Sequence, residues 1–332
     1  MAWFKRLLSL ILFIILLILF WPLAKELKNL GLVFRQASWG WLGVAVLIQV
    51  ISYAFLTELN RLLLRPFPGA IGFLRMMAVL PALAFIEVTV PSAGASGVVL
   101  RARLLGKNGY SVEASTFTLV METLYVGVMM FAVSFMGLWY LVRAGEIHRV
   151  QIFLLTGISV ILLISGLLAM WFARDRKRVG NLALRFNALT DRVLSRFNRP
   201  APDEQQVRNR VEAFYDGLSQ LRHYPIWPFL FTSLGRVVLD VASLGACFLA
   251  FNYFISFGVL LTGYGLMLLL SGLASLPGGL GMADLSLSVI YARLGAPGAV
   301  AVAAALSYRL IAWWLLRFIG FVSWQVLEAR RA

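Results

Sequence analysis

Sulfur and imidazole are almost missing from this chain. Its 332 residues include one cysteine, Cys247, and two histidines, His148 and His223. A lone cysteine inside an apolar run excludes an intramolecular disulfide and a Cys-rich metal site. The histidines fall in separate loops with no companion ligands, too few donors for a tetrahedral centre. No cofactor is expected. Charge is scarce too: only 14% of residues are Asp, Glu, Lys or Arg, and the acids number 15 against 30 bases. No Walker-type phosphate loop occurs, which disfavours an ATP-driven pump contained in this chain.

Hydrocarbon is what the sequence has in quantity. At 61% hydrophobic residues, it exceeds what a soluble core absorbs, so the expected class is an all-α, polytopic membrane protein. Apolar windows at 7–23, 39–59, 115–140, 150–172, 227–250 and 299–326 predict six full spans. The first run is read as an anchor, because "WPLAKE" after it is a poor small-residue cleavage site. Two further stretches, 73–105 and 259–295, are interrupted by "VPSAGASG" (90–97) and "LPGGLG" (276–281). Most pieces beside each break fall short of the roughly 20 residues a span needs, which predicts re-entrant hairpins. Broken backbone at membrane depth is tolerated only where protein or a water-filled cavity covers it. Residues 1–332 are thus expected to form a single transmembrane domain.

The excess of 15 positive charges is distributed for topology and not for nucleic acid. Bases cluster near Lys5 and Arg6, in 61–75, in 101–107, in 173–222 and at Arg330 and Arg331. The positive-inside bias then puts both termini in the cytoplasm of an inner membrane. Lys25, Lys28 and Arg35 on an outer loop fit this less well. Within 174–222, Leu182, Phe186, Leu189, Val193 and Phe197 recur at helical steps among Arg185, Arg192, Arg196 and Arg199. Such a basic amphipathic helix over 174–199 suits an anionic leaflet. After "RPAPDE" the pattern restarts with Val207, Val211, Phe214, Leu218 and Leu221. A helical hairpin packed on the membrane domain is the plainer reading of the same segment.

The two interrupted stretches resemble each other. Each runs from proline through small residues to a short apolar helix, an Arg-Leu step, a glycine turn and an Ala-bearing span. Gly106, Gly109 and Ala114 align with Gly295, Gly298 and Ala303. Three expected crossings separate the hairpins, so the two units are predicted to be inverted repeats, as in many transporters.

Seven ionisable residues sit in the expected membrane segments: Glu87, Glu122, Arg236, Asp240, Asp284, Arg309 and Arg317. Each costs roughly 2.5–3.5 kcal/mol near a helix centre, so partners or function are expected. Arg236 and Asp240, four apart, share a helix face and permit an ion pair. Glu122 and Arg309 occupy similar depths in the two repeats and are expected to face one another. The cations here are arginines without a lysine, which favours forked recognition of a phosphate. Arg317 suits either a site or a snorkelling position. Arg101 and Arg103 follow the first hairpin and are placed to meet a phosphate or to fix topology. Gly278, Gly279 and Gly281 allow close backbone approach, and Asp284 caps the following helix or carries a proton.

The stretch "LPGGLGMADLSLSVIYARLGAPGAVAVAAALSYRLIAWWL" resembles the C-terminal signature of the lysylphosphatidylglycerol synthase transmembrane-region family, a flippase-like domain. "VPSAGASGVVLRARLLGKNGYSVEAS" with "METLY" is similar to the family's first motif, including Glu122. The resemblance implies a lipid-translocating domain for phospholipids, polyprenyl-phosphate-linked or hopanoid-type lipids. It also implies functional roles for Pro277, Gly278, Gly279, Gly281, Asp284, Glu122 and Arg309. Asp284 replaces the family's usual glutamate, and the first turn is less glycine-rich. The chain ends at Ala332 without the soluble aminoacyl-transferase domain of the full synthases, so synthase activity is not expected.

The leading expectation is therefore a flippase for an anionic lipid and not an enzyme. Its head group would pair with Arg309 and Arg236, and Asp284, Glu122 or Glu87 would carry a proton or bind an amine. One alternative is a lipid-modifying enzyme using Asp284 and Glu122 as acid and base. The other is a non-transporting partner that docks a synthase through 174–222; a homodimer is also compatible with the sequence.

Overall fold

The computed structural model describes residues 33–89, 95–144, 175–194, 203–274 and 282–329. The expected spans at 7–23 and 150–172 lie outside the described residues, as do both interrupting turns at 90–94 and 275–281. All regular structure among the described residues is helical. Four helices are long and apolar enough to cross a membrane: Trp39–Leu64, Val112–Gly137, Trp227–Ala250 and Gly298–Leu327. They correspond to four of the six expected windows.

The first unit comprises α1 (Trp39–Leu64), α2 (Phe73–Thr89), α3 (Ala95–Gly106) and α4 (Val112–Ala144), of 26, 17, 12 and 33 residues. The second comprises α7 (Trp227–Ala250), α8 (Phe257–Ala274) and α9 (Met282–Arg293), of 24, 18 and 12 residues. A long final rod completes it: α10 (Gly298–Arg309), a six-residue π-helical turn at Leu310–Leu315, and α11 (Leu316–Ala329). Between the units, α5 (Arg176–Leu194) and α6 (Glu204–Leu221) pack together. Each interrupted stretch is thus a pair of helices, α2 with α3 and α8 with α9, in mutual contact.

Local chemistry explains how the short helices end. Gly109 and Gly295 have φ of 83° and 97°, which side chains disfavour. Beyond each glycine, an amide reaches back five residues: Tyr110 N–H to the Leu105 carbonyl at 3.3 Å, and Ala296 N–H to the Tyr291 carbonyl at 2.9 Å. Both turns are Schellman-type caps. They put Gly109 in register with Gly295, and the next helix starts three residues on, at Val112 and at Gly298. This corrects the alignment read from the sequence, which paired Gly106 with Gly295; the cap geometry, and not residue identity, sets the register.

Equivalent helices of the two units pack against each other in opposite directions. Ser52 Oγ donates to the Arg236 carbonyl at 2.7 Å, Ser243 Oγ to the Ala45 carbonyl at 3.0 Å, and Ser38 N–H to the Ala250 carbonyl at 2.7 Å. Numbers rise along α1 as they fall along α7, so the pair is antiparallel. Serines on both sides let the backbones approach, as membrane helix pairs require. The fourth helices are exchanged: α4 lies along α8, and α11 lies along α2. Each seam closes at a glycine. A Cβ on Gly137 would come 2.5 Å from the Thr262 amide nitrogen, and one on Gly320 would come 2.1 Å from the Pro81 carbonyl oxygen.

Two cores form, each built mainly from one unit and completed by the other. Leu59, Leu63, Met76, Leu105 and Phe117 centre the first, and Leu244, Phe248, Tyr264, Leu287 and Tyr291 the second. Along α10, Ala301, Ala303, Ala304 and Ala305 are completely or almost completely buried, so small side chains bring α9 and α7 close. Several hydroxyls within the spans bond back one turn, as Thr57 does to Tyr53 and Thr118 to Ala114, which satisfies them without water. Trp139, Phe231, Phe257, Leu310 and Phe318 are exposed on the outside, where a bilayer would cover them.

The α5–α6 pair docks on the membrane helices through α6, as the plainer reading expected. Val207 and Leu221 are buried, and Phe214 stacks on Phe117, which also meets Phe67. On α5, Leu182 is exposed; the side chains of Phe186, Leu189 and Val193, and residue Phe197, lie outside the described residues. Arg176 lies over the ring of Tyr215 and 3.8 Å from Asp216, joining the two helices. Burial pushes the Tyr215 phenol above its ordinary range, with Asp175 adding to the shift.

Candidate functional site

Two polar networks cross the described membrane helices. The first is centred on Asp240 of α7. Arg236 reaches its carboxylate at 3.0 Å, the pair that the four-residue spacing predicted. Tyr264 of α8 and Tyr308 of α10 donate to the same Oδ2 at 2.6 and 3.0 Å. Arg236 also donates to Ser52 Oγ at 2.7 Å and lies 5.7 Å from the Tyr53 ring centre. Asp240 is 5% exposed, and its charge is compensated by a guanidinium and two hydroxyls. These contacts make the network a clamp joining α1, α7, α8 and α10, with Asp240 Oδ1 held by the Arg236 ion pair and without a hydrogen-bond partner among the described residues.

The second network is centred on Arg101 of α3. Its Nη2 donates to Asn60 Oδ1 on α1 and to Glu122 Oε2 on α4, the latter at 2.7 Å. Arg101 is 4% exposed, yet its Nε has no hydrogen-bond partner among the described residues. Glu87, exposed in the last turn of α2, is within electrostatic reach of Arg101, Glu122 and Arg317. Arg317 of α11 donates through Nη1 to the Trp313 carbonyl at 2.9 Å, and its guanidinium lies 3.6 Å from the Trp313 ring centre. Its Nε is also buried without a hydrogen-bond partner among the described residues. Arg309 approaches the same indole at 5.2 Å. A cation on an indole face gains about 2 kcal/mol when desolvated, so Trp313 holds Arg317 without using up its donors.

Tyr53 joins the two networks. Arg236 acts on it electrostatically, and so do Arg317, Glu122 and Glu87. The second network therefore gathers three arginines and two carboxylates near the end of α2, with guanidinium donors still unused. The residues suit an oxyanion: planar forks of N–H donors, held by an aromatic and a carboxylate.

The sequence-derived candidates distribute unevenly. Arg101, Glu122, Glu87 and Arg317 come together, and Arg309 joins them through Trp313. Glu122 forms its ion pair with Arg101, so the partner anticipated for it from repeat symmetry is replaced by a residue of its own unit. Arg236 and Asp240 belong to the other network, where they pair with each other. Arg103 is exposed in the last turn of α3. Asp284 is in the first turn of α9, its side chain outside the described residues; Pro277, Gly278, Gly279 and Gly281 also lie outside them. Sequence reasoning missed Asn60, Tyr53, Tyr264, Tyr308 and Trp313. A signal existed for Asn60, an amide in an apolar run. Tyrosine and tryptophan read as interfacial residues and gave none.

Comparison with known proteins agrees with this architecture. A UPF0104 membrane protein of Methanothermobacter thermautotrophicus is 24% identical over 292 residues, covering 86% of this chain and 85% of that protein. A second match from that organism is 27% identical over 139 residues, covering 40% and 42%. A UPF0104 membrane protein of Methanocaldococcus jannaschii is 27% identical over 130 residues, 38% of each chain. The chain thus spans about two-fifths of the length of the latter two. The profile of the family described as the lysylphosphatidylglycerol synthase TM region matches residues 6–320. With that match over nearly its whole length, this chain belongs to the lysylphosphatidylglycerol synthase transmembrane-region family.

Proposed function

We propose that this protein is a lipid flippase, moving an anionic, phosphate-bearing lipid across the membrane with its head group passing the Arg101–Glu122–Glu87–Arg317 cluster. One observation carries the reading: guanidinium donors are left unused in a cluster where the two helical units meet, near the end of α2. Inverted repeats around interrupted helices are the architecture of many transporters, with the site between the repeats. In this reading α2–α3 and α8–α9 are re-entrant hairpins. Arg317, Arg309 and the free edge of Arg101 receive the phosphate, while the tails stay in the bilayer. Glu87, the exposed carboxylate of the group, carries a proton or meets an amine on the head group. The protein acts without enzymatic chemistry, its termini face the cytoplasm, and its partners are membrane lipids. The basic segment around α5 rests near the anionic leaflet.

Reconstitution in liposomes tests this. Translocation of a fluorescent phosphatidylglycerol is expected to fall at least about tenfold in Arg317→Gln and Arg309→Ala, which removes a charge-assisted contact of about 1.5–3 kcal/mol. Wild-type rates in both folded variants would overturn the proposal.

A further inference from the structure

A second feature lies at the far end of the α2–α11 seam, away from both networks. A groove of about 740 Å³ opens between α2, the end of α3 and the last turns of α11. Ala78, Val79, Leu104 and Val326 line it, while Arg75 and Lys107 are its two cations. Lys107 Nζ donates to the Leu327 carbonyl at 3.2 Å, so the ammonium is held across the end of the groove with two donors to spare. Both cations are exposed. They belong to basic segments whose distribution marks the cytoplasmic side. Gly320 seated on Pro81, and Phe85 against Phe321 at 5.4 Å, close the seam between this groove and the Arg317 cluster.

We infer that this groove is a binding site for one anionic phospholipid of the adjacent leaflet, with its phosphate on Arg75 and Lys107 and an acyl chain along Ala78, Val79 and Val326. Three features favour that occupant. The volume falls within the usual range for ligand pockets. The lining is apolar along its length and cationic at its rim, matching a lipid with a charged end. Basic pockets between membrane helices at the cytoplasmic side are also suited to anionic head groups. A zwitterionic lipid would satisfy the groove but bring a third cation beside Arg75 and Lys107, which offsets the attraction of its phosphate. The inference is separate from lipid translocation: it concerns a resident lipid, and the closed seam divides it from the cluster.

The test is native mass spectrometry of the full chain in mild detergent, titrated with phosphatidylglycerol or phosphatidylcholine of identical chains. Wild type is expected to retain one phosphatidylglycerol more than Arg75→Gln/Lys107→Gln, with apparent affinity about tenfold or more weaker in the double variant. Phosphatidylcholine retention should be the same in both. Ala78→Trp, which fills the groove and keeps both cations, should also lose the extra lipid. Arg317→Gln should keep it whatever becomes of transport, separating this site from the proposed translocation site. Equal phosphatidylglycerol retention by wild type and the double variant would overturn the inference. So would retention unaffected by Ala78→Trp, or displacement by soluble glycerol phosphate at matched concentration.

Discussion

The Asp240 and Arg101 networks use the same chemical groups to different ends. Around Asp240, one guanidinium and two tyrosine hydroxyls converge on one carboxylate, and three helices supply them. Around Arg101, the arginines outnumber the carboxylates, one carboxylate is exposed, and two Nε–H groups have no partner among the described residues. A charge-paired carboxylate that also holds two hydroxyls fixes packing, because every route to a new partner begins by breaking an existing contact. An orphaned N–H donor carries a standing penalty of about 1–3 kcal/mol. That penalty is tolerated where something else comes to bind. The networks differ in which groups are unmet: guanidinium N–H donors in the second, one ion-paired carboxylate oxygen in the first.

Four sets of variants would break or sharpen that contrast. Asp240→Ala should have the largest effect, about 3–5 kcal/mol of destabilisation, because it leaves Arg236 buried without its counter-charge. Thermal unfolding in detergent measures it, and a loss below about 1 kcal/mol would remove the distinction. Next come Gly320→Ala and Gly137→Ala, each expected to cost about 1–3 kcal/mol by forcing the α2–α11 and α4–α8 seams apart. Similar losses in the same unfolding assay would support equivalence of the exchanged helices, and a loss in only one would argue against it. Tyr308→Phe removes one of two hydroxyl donors to Asp240 and should cost about 1 kcal/mol. Glu87→Gln should be smallest in stability, within about 0.5 kcal/mol as for an exposed site, yet reduce flux in the liposome assay severalfold. Normal flux there would free Glu87 from any role in transport.

Much of the fold was readable because long apolar windows and glycine turns act locally. The windows at 39–59, 115–140, 227–250 and 299–326 each became a helix close to the expected bounds. The repeat was legible as a pattern but misregistered by three residues, since a sequence carries glycines and not their dihedral angles. The candidate site was half legible. Glu87, Glu122, Arg101, Arg309 and Arg317 were singled out because an ionisable residue in an apolar run is conspicuous. Their grouping was not, because Arg101 and Arg317 come from different units and both come within electrostatic reach of Glu87 only when α11 crosses to α2. Trp313 supports two arginines through a π-helical turn whose hydrogen-bond pattern leaves no mark on composition.

The crossing of the fourth helices limits how such a molecule can open. Were α4 folded back on α2 and α11 on α8, two halves could rock apart like jaws about the α1–α7 axis. With the arms traded, that swing would tear both long contacts at once, each latched where a glycine backbone touches its neighbour.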